Sequence, residues 1–330
     1  MTKTQLYSVS ISARATLDMH SLNNEGGEGN QIQTRMVNIV DQEGDLHNVN
    51  AISGDMYKHI QAEHLFHIAR QNGNLPLSTG AEEFNANRIN ADSGFIERTK
   101  DMSDADTLNE MLRVCSVSDM EGILITEGKR SLPRKSVVEF GWIVGVPSKV
   151  ETDSYFHVKY VNSDRSKSSD SRKEEDKSGA NLGQSIFHRP ASSGIYATVC
   201  HLELARIGFN DITQTYAISA EQRALRARAL LESTLYTFLK PNGAMRSSQA
   251  PHLVNFEGVV SISTGATPAP TVSPLKDGYR EQIGRITEAL RQVAPNTVQV
   301  FTFNSLADFT DIMGDLMQNT EPYTISYQGA

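Results

Sequence analysis

A strand that runs into a glycine-rich polar loop, followed by a well-capped helix, limits most strongly what this chain can fold into. The strand contains Ser8-Val9-Ser10-Ile11-Ser12-Ala13-Arg14-Ala15, within Leu6–Leu17, where small and apolar residues alternate. A period of two predicts a central strand. It continues through Asp18 and His20 to Asn23-Asn24-Glu25-Gly26-Gly27-Glu28-Gly29-Asn30, which reads as a loop. Gln31–Val40 reads as a second strand, and Gln42–Asp45 as a turn built on Glu43-Gly44-Asp45. In Ala51-Ile52-Ser53-Gly54-Asp55-Met56-Tyr57-Lys58-His59-Ile60, Ser53 is a good N-cap. The helix it predicts reaches about Arg70, with Met56, Ile60, Leu65 and Ile68 on or near one face. Its first turn sets Gly54 and Lys58 beside backbone N–H groups without helical partners, a geometry suited to anions.

Beyond this helix, Gly73–Ser103 reads as an irregular excursion and Ala105–Val114 as a helix. Val137–Val146, which holds the only tryptophan (Trp142), and Tyr155–Val161 read as strands. Asn162–Asn181 is rich in Ser, Lys, Asp and Glu and cannot form a core, so a mobile segment is expected there in the unbound protein. Gly194–Leu204, Val259–Ser263 and Val298–Phe303 read as strands; Ala220–Leu239, Gly278–Val293 and Ser305–Met317 read as helices. Strands and helices mixed in this order predict an α+β core.

Three further segments carry polar chemistry. Gly128–Ser136 places Lys129, Arg130, Arg134 and Lys135 within seven residues stiffened by Pro133, which suits a grip on phosphates at fixed register or a solvated turn. Gly243–Gln249 follows a long helix and offers Arg246, Ser247, Ser248 and Gln249 as donors, or forms a plain helix exit. His188-Arg189-Pro190 follows the charged segment.

In order and spacing, the N-terminal strand and loop, the helix from Ser53, Lys129–Val144, Gly194–Leu204 and Gly243–Gln249 resemble the DevR family. That family supplies backbone subunits of type I CRISPR Cascade complexes and belongs to the RAMP superfamily of RRM-like RNA-binding proteins. The resemblance implies one domain over residues 1–330 on an RRM- or ferredoxin-like β-α-β-β-α-β palm. It implies a finger-like insertion at 72–128 and a thumb-like insertion at 150–192, with the mobile loop at 162–181. It also implies a non-catalytic protein that polymerises along CRISPR RNA and presents it to complementary target DNA. The partners are then the RNA, the DNA, further copies of the chain and other Cascade subunits. The expected RNA contacts are Asn23, Ser53, Gly54, Lys58, His59, Lys129, Arg130, Arg134, Lys135, His188, Arg189, Arg246, Ser247, Ser248 and Gln249.

A net charge of −8 weighs against simple electrostatic binding of nucleic acid, although a basic stripe can sit on an acidic body. The alternative is a RAMP-type endoribonuclease using Asp18 or His20. His59, Glu63 and His67 share a helix face but miss the zinc-protease patterns by spacing, so neither a metal nor a cofactor is expected. Cys115 and Cys200 lie far apart and predict reduced, buried thiols. With no long apolar run and no signal peptide, a cytoplasmic protein away from membranes is expected.

Overall fold

The computed structural model describes residues 3–127, 130–160, 184–244 and 249–326. It is a mixed α/β structure built on one large sheet. Seven strands follow one another across that sheet in the order Val298–Phe303, His252–Ser263, Ser8–His20, Gln184–Leu202, Ile143–Tyr160, Leu46–Ile52 and Met36–Val40. Every neighbouring pair in this path is antiparallel.

Both faces of the Ser8–His20 strand are covered, which explains its alternation of small and apolar residues. Val9, Ile11, Ala13 and Leu17 point into the main core; Ser8, Ser10 and Ser12 are buried on the opposite face. The main core is closed by the helices Gly54–Gln71, Ala220–Leu239 and Leu306–Asn319. Four rings pack at its centre: Phe256 lies 4.8 Å from Phe238, 5.1 Å from Phe303 and 5.0 Å from Phe309. The other face is covered by the helix Tyr279–Val293, whose Ile283 packs with Val259, and by the chain leading into it. There Ser10 Oγ donates to the Ala269 carbonyl at 3.2 Å, and Arg14 Nε to that of Pro274 at 2.7 Å.

Caps fix most helix starts. Ser53, Ser103, Ser219 and Ser305 each accept an N–H from the first turn of their helix. The helices expected from Ser53 and at Ala220–Leu239, and the strand Val298–Phe303, are found at the expected positions.

Elsewhere the sequence reading needs correction. The stretch read as a loop holds a strand, Asn24–Glu28, paired with Gln31–Thr34. The second strand is broken into Gln31–Thr34 and Met36–Val40, and a further strand, Leu46–Ile52, follows the turn. The excursion at Gly73–Ser103 contains the helical segments Thr79–Glu82, Arg88–Ala91 and Ser93–Thr99. They escape a periodicity search because each is too short, and Asp92 organises them: one carboxyl oxygen caps Phe95 N at 2.8 Å, the other accepts from Thr79 N at 3.2 Å. Val137–Val146 and Tyr155–Val161 were expected as two strands. Instead a short strand, Val138–Phe140, precedes one long strand, Ile143–Tyr160, with a pairing shift between Gly145 and Val150. The segment Asn162–Asn181 lies outside the described residues.

Candidate nucleic-acid interface

The start of the Gly54–Gln71 helix is built from three parts of the chain. Ser53 Oγ accepts from Met56 N at 3.1 Å, and Asn23 Oδ1 accepts from Ser53 N at 2.9 Å. Two backbone donors near the helix start are therefore already used inside the protein, and Asn23 is buried as a tether. Gly54 packs so closely under the neighbouring strand that a Cβ there would collide with the Phe140 carbonyl oxygen. Glycine is required here by close approach.

Lys58 follows one turn into the helix. Burial holds its ammonium below the usual lysine range; Arg88 pushes the same way, while Glu121, Asp55 and Glu139 oppose them. His59 is exposed and stands 5.5 Å from the Phe84 ring. Lys58 and His59 line a cavity of about 310 Å³ together with Asp55, Phe84, Arg88 and Glu121.

The late loop closes on the same region. Ala244 N donates to the Leu22 carbonyl at 3.2 Å, and a Cβ on Gly243 would collide with Leu22. Gln249 Nε2 donates to the Pro190 carbonyl at 3.2 Å. The end of the central strand, the helix start, the late loop and the strand Gln184–Leu202 thus meet. Arg246, Ser247 and Ser248 lie outside the described residues.

The paired strands Ile143–Tyr160 and Gln184–Leu202 carry His188 and Arg189. Phe156 opposes His188 with ring centres 6.0 Å apart, and His157 stacks with Phe187 at 6.2 Å. The Arg189 guanidinium lies 4.8 Å from the Phe187 ring centre. Phe156 is 59 % exposed, a large apolar surface on this hairpin. Sequence reasoning missed these rings, although Tyr155-Phe156-His157 and Phe187-His188 flank the polar segment visibly.

The basic run is dispersed by the fold. Lys129 lies outside the described residues, and Lys135 is exposed. Arg130 turns inward, donating to the carbonyls of Thr99 at 2.6 Å and Met102 at 2.8 Å and to Thr107 Oγ1. Arg134 is fully buried, bonded at 2.7 Å to Asp119, which also holds Arg226 at 2.7 Å. All three Arg134 nitrogens donate within the protein, and Arg130 uses both terminal nitrogens on neighbouring segments.

Asp18 and His20 do not form an exposed cleavage pair. His20 is buried against Tyr196 at 4.9 Å, and burial lowers its pKa to about 4. The three residues of the possible metal face do not converge on one point: Glu63 pairs with His67 at 4.0 Å, while His59 stands against Phe84. Among the described residues no group of three His, Cys, Asp or Glu is placed to hold a metal ion. Cys115 and Cys200 are free and buried. No described helix is long and apolar enough to cross a membrane.

Residues 11–283 match the family model described as CRISPR-associated negative auto-regulator DevR/Csa2. The CRISPR-associated protein Cas7/Csa2 1 of Saccharolobus solfataricus is 24% identical over 295 residues, covering 86% of this chain and 88% of that protein. Structural likeness is looser. A chain of a CRISPR RNA-guided surveillance complex, pre-nicking, aligns with a TM-score of 0.45 at 16% identity, covering 97% of this chain and 96% of that one. Thermofilum pendens Csc2 aligns with a TM-score of 0.38 at 10% identity, covering 95% of this chain and 85% of that one.

Proposed function

The chain belongs to the DevR/Csa2 family of CRISPR-associated proteins, and on that premise we propose that it is a non-catalytic subunit that binds CRISPR RNA as the backbone of a type I Cascade complex. Several copies line up along one guide, beside other Cascade subunits in the cytoplasm, and leave its bases free to pair with complementary target DNA. Sequence is then read by base pairing, while the protein grips the RNA backbone.

The observation that carries this reading is the convergence of four chain segments around Asn23. Ser53 bonds to Asn23, Ala244 bonds to the adjacent Leu22, and Gln249 bonds to Pro190 at the foot of the aromatic hairpin. Lys58 and Lys135 then supply cations for phosphate. His59, Phe156 and Phe187 supply rings on which bases stack at roughly 1–3 kcal/mol each. Arg246, Ser247 and Ser248 extend the set within the late loop.

Topology supports a ferredoxin-like palm. Its four strands are His252–Ser263, Ser8–His20, Gln184–Leu202 and Ile143–Tyr160, in that spatial order. The helices Gly54–Gln71 and Ala220–Leu239 connect them. Residues 72–128 then form the finger-like insertion, and 150–192 the thumb-like one that wedges between guide bases.

Purified protein tests the reading directly. Its ratio of absorbance at 260 and 280 nm should show co-purified RNA, and its mass in solution should correspond to several copies on one strand. A nucleic-acid-free monomer that ignores added guide RNA would refute it. Turnover of RNA by the isolated protein would return it to the nucleases.

Lys58→Glu should reduce affinity for single-stranded RNA about tenfold or more at moderate salt. The change removes a charge-assisted contact of roughly 1.5–3 kcal/mol and adds repulsion beside Asp55. Filter binding across a salt series measures this; an unchanged affinity removes Lys58 from the interface.

A further inference from the structure

The cavity beside Lys58 holds features that neither packing nor the RNA-backbone reading explains. Phe84 and Arg88 both line it, and both have left-handed backbones, with φ of 52° and 45°. Non-glycine residues in this region carry strain, which is retained where the surroundings impose it. Arg88 Nη1 is anchored to the Gly122 carbonyl at 2.6 Å, which fixes the guanidinium near Lys58.

Glu121 also lines the cavity, with only 2% of its surface exposed. Neither of its carboxyl oxygens has a hydrogen-bond donor among the described residues. Gln61 lies beside it, and the Gln61 amide oxygen is likewise unpartnered, while its Nε2 donates to Ser233 Oγ at 2.8 Å. Gln61 is the hydrogen-bonding side chain beside the Glu121 carboxyl, and its pull toward the ionised form is outweighed by burial. The charged and titratable groups around Glu121 and its neighbour Lys58 are Asp55, Lys58, His59, Arg88, Glu139 and Cys200.

We propose that this cavity binds a phosphate group of a nucleic-acid strand through Lys58 and Arg88, and that Glu121 takes up a proton from solvent as it binds. The proposal rests on the RNA-backbone reading for its ligand, but its charge balance stands on the cavity alone. Burial raises the pKa of Glu121 to about 7, against the pull of Arg88, Lys58 and Gln61. A bound phosphate screens those two cations and adds negative charge, so the proton is held more tightly still. Where Glu121 is ionised in the free protein, above neutral pH, binding must then draw in a proton. Affinity rises as pH falls from alkaline values and levels off once Glu121 is already protonated. Arg88 and Glu121 join Lys58 in one site, with Arg88 as the second cation and Glu121 as the group that sets its charge.

Two probes test this on the full chain. Carbon-13 titration of the glutamate carboxyls should place Glu121 near neutral pH in the free protein. Inorganic pyrophosphate should move that midpoint upward in wild type but not in Arg88→Gln. Single-stranded RNA should bind about threefold or more tightly at pH 6.5 than at pH 8.5 in wild type. That dependence should be flat in Glu121→Gln, which keeps the side-chain volume and removes the titrating group. An ordinary carboxylate midpoint, a midpoint unmoved by pyrophosphate, or an unchanged pH slope in Glu121→Gln would each overturn the proposal. If pyrophosphate moves the midpoint while RNA fails to bind at any pH, the phosphate site stands and the RNA-backbone reading falls.

Discussion

Asp119→Ala should lower the stability of the protein by about 3–5 kcal/mol, because it strips the buried Arg226 guanidinium of its carboxylate and leaves the buried Arg134 only Asp211, 3.5 Å away and partly exposed. Asp119, Arg134 and Arg226 have no exposed side-chain surface. Arg134 Nη2 and Arg226 Nη1 each donate to the carboxylate at 2.7 Å, and Gly208 N approaches its oxygens at 3.0 and 3.2 Å. The three side chains come from the helix Ser116–Glu121, the strand Leu132–Arg134 and the helix Ala220–Leu239. Loss of the carboxylate therefore loosens the region before residue 135 from the main helical layer. Urea unfolding followed by circular dichroism measures the effect. A loss under about 1 kcal/mol would show that water reaches these arginines when the acid is gone. Replacing all three groups with apolar residues of similar volume should restore most of the stability, since the penalty comes from the uncompensated charge. Glu121 lies two residues further on, so Asp119→Ala should also disturb the cavity beside Lys58.

Phe256→Ala should destabilise the fold by about 3–5 kcal/mol, through lost burial plus the cavity left behind. Phe256 is 1% exposed and touches three other rings, so the site has little freedom to collapse. It joins the His252–Ser263 strand to the Ala220–Leu239 and Leu306–Asn319 helices. Guanidinium titration should show the loss together with a weakened near-ultraviolet aromatic signal. Phe256→Leu should cost clearly less, because it refills part of the volume. If the two variants match, ring packing contributes nothing beyond apolar contact.

Local chemistry made the capped helices legible. Ser53 and Ser219 satisfy N–H groups within three residues of themselves, and the Ala220–Leu239 helix follows from its own composition and spacing. The central strand was legible because alternation is a property of neighbours. The order of these elements, with the polar segments between them, is enough to suggest the DevR family.

Cation placement was not legible. Arg130, Arg134 and Lys135 look alike in the run Gly128–Ser136. Folding turns Arg130 onto backbone carbonyls, buries Arg134 on Asp119 and leaves Lys135 outside. Arg134 finds its carboxylate fifteen residues back in the chain, and that carboxylate finds Arg226 in a distant helix. No local pattern encodes such a meeting. The same holds for Glu121, an ordinary acid in sequence whose pKa is raised by burial only where distant segments close over it beside Lys58 and Arg88. Sequence alone determined where the capped long helices and the central strand run, because those choices rest on hydrogen bonds and apolar contacts a few residues apart. Tertiary structure decided which charges reach solvent, because the free energy of a charge depends on the water and the partners that distant segments bring to it or take away.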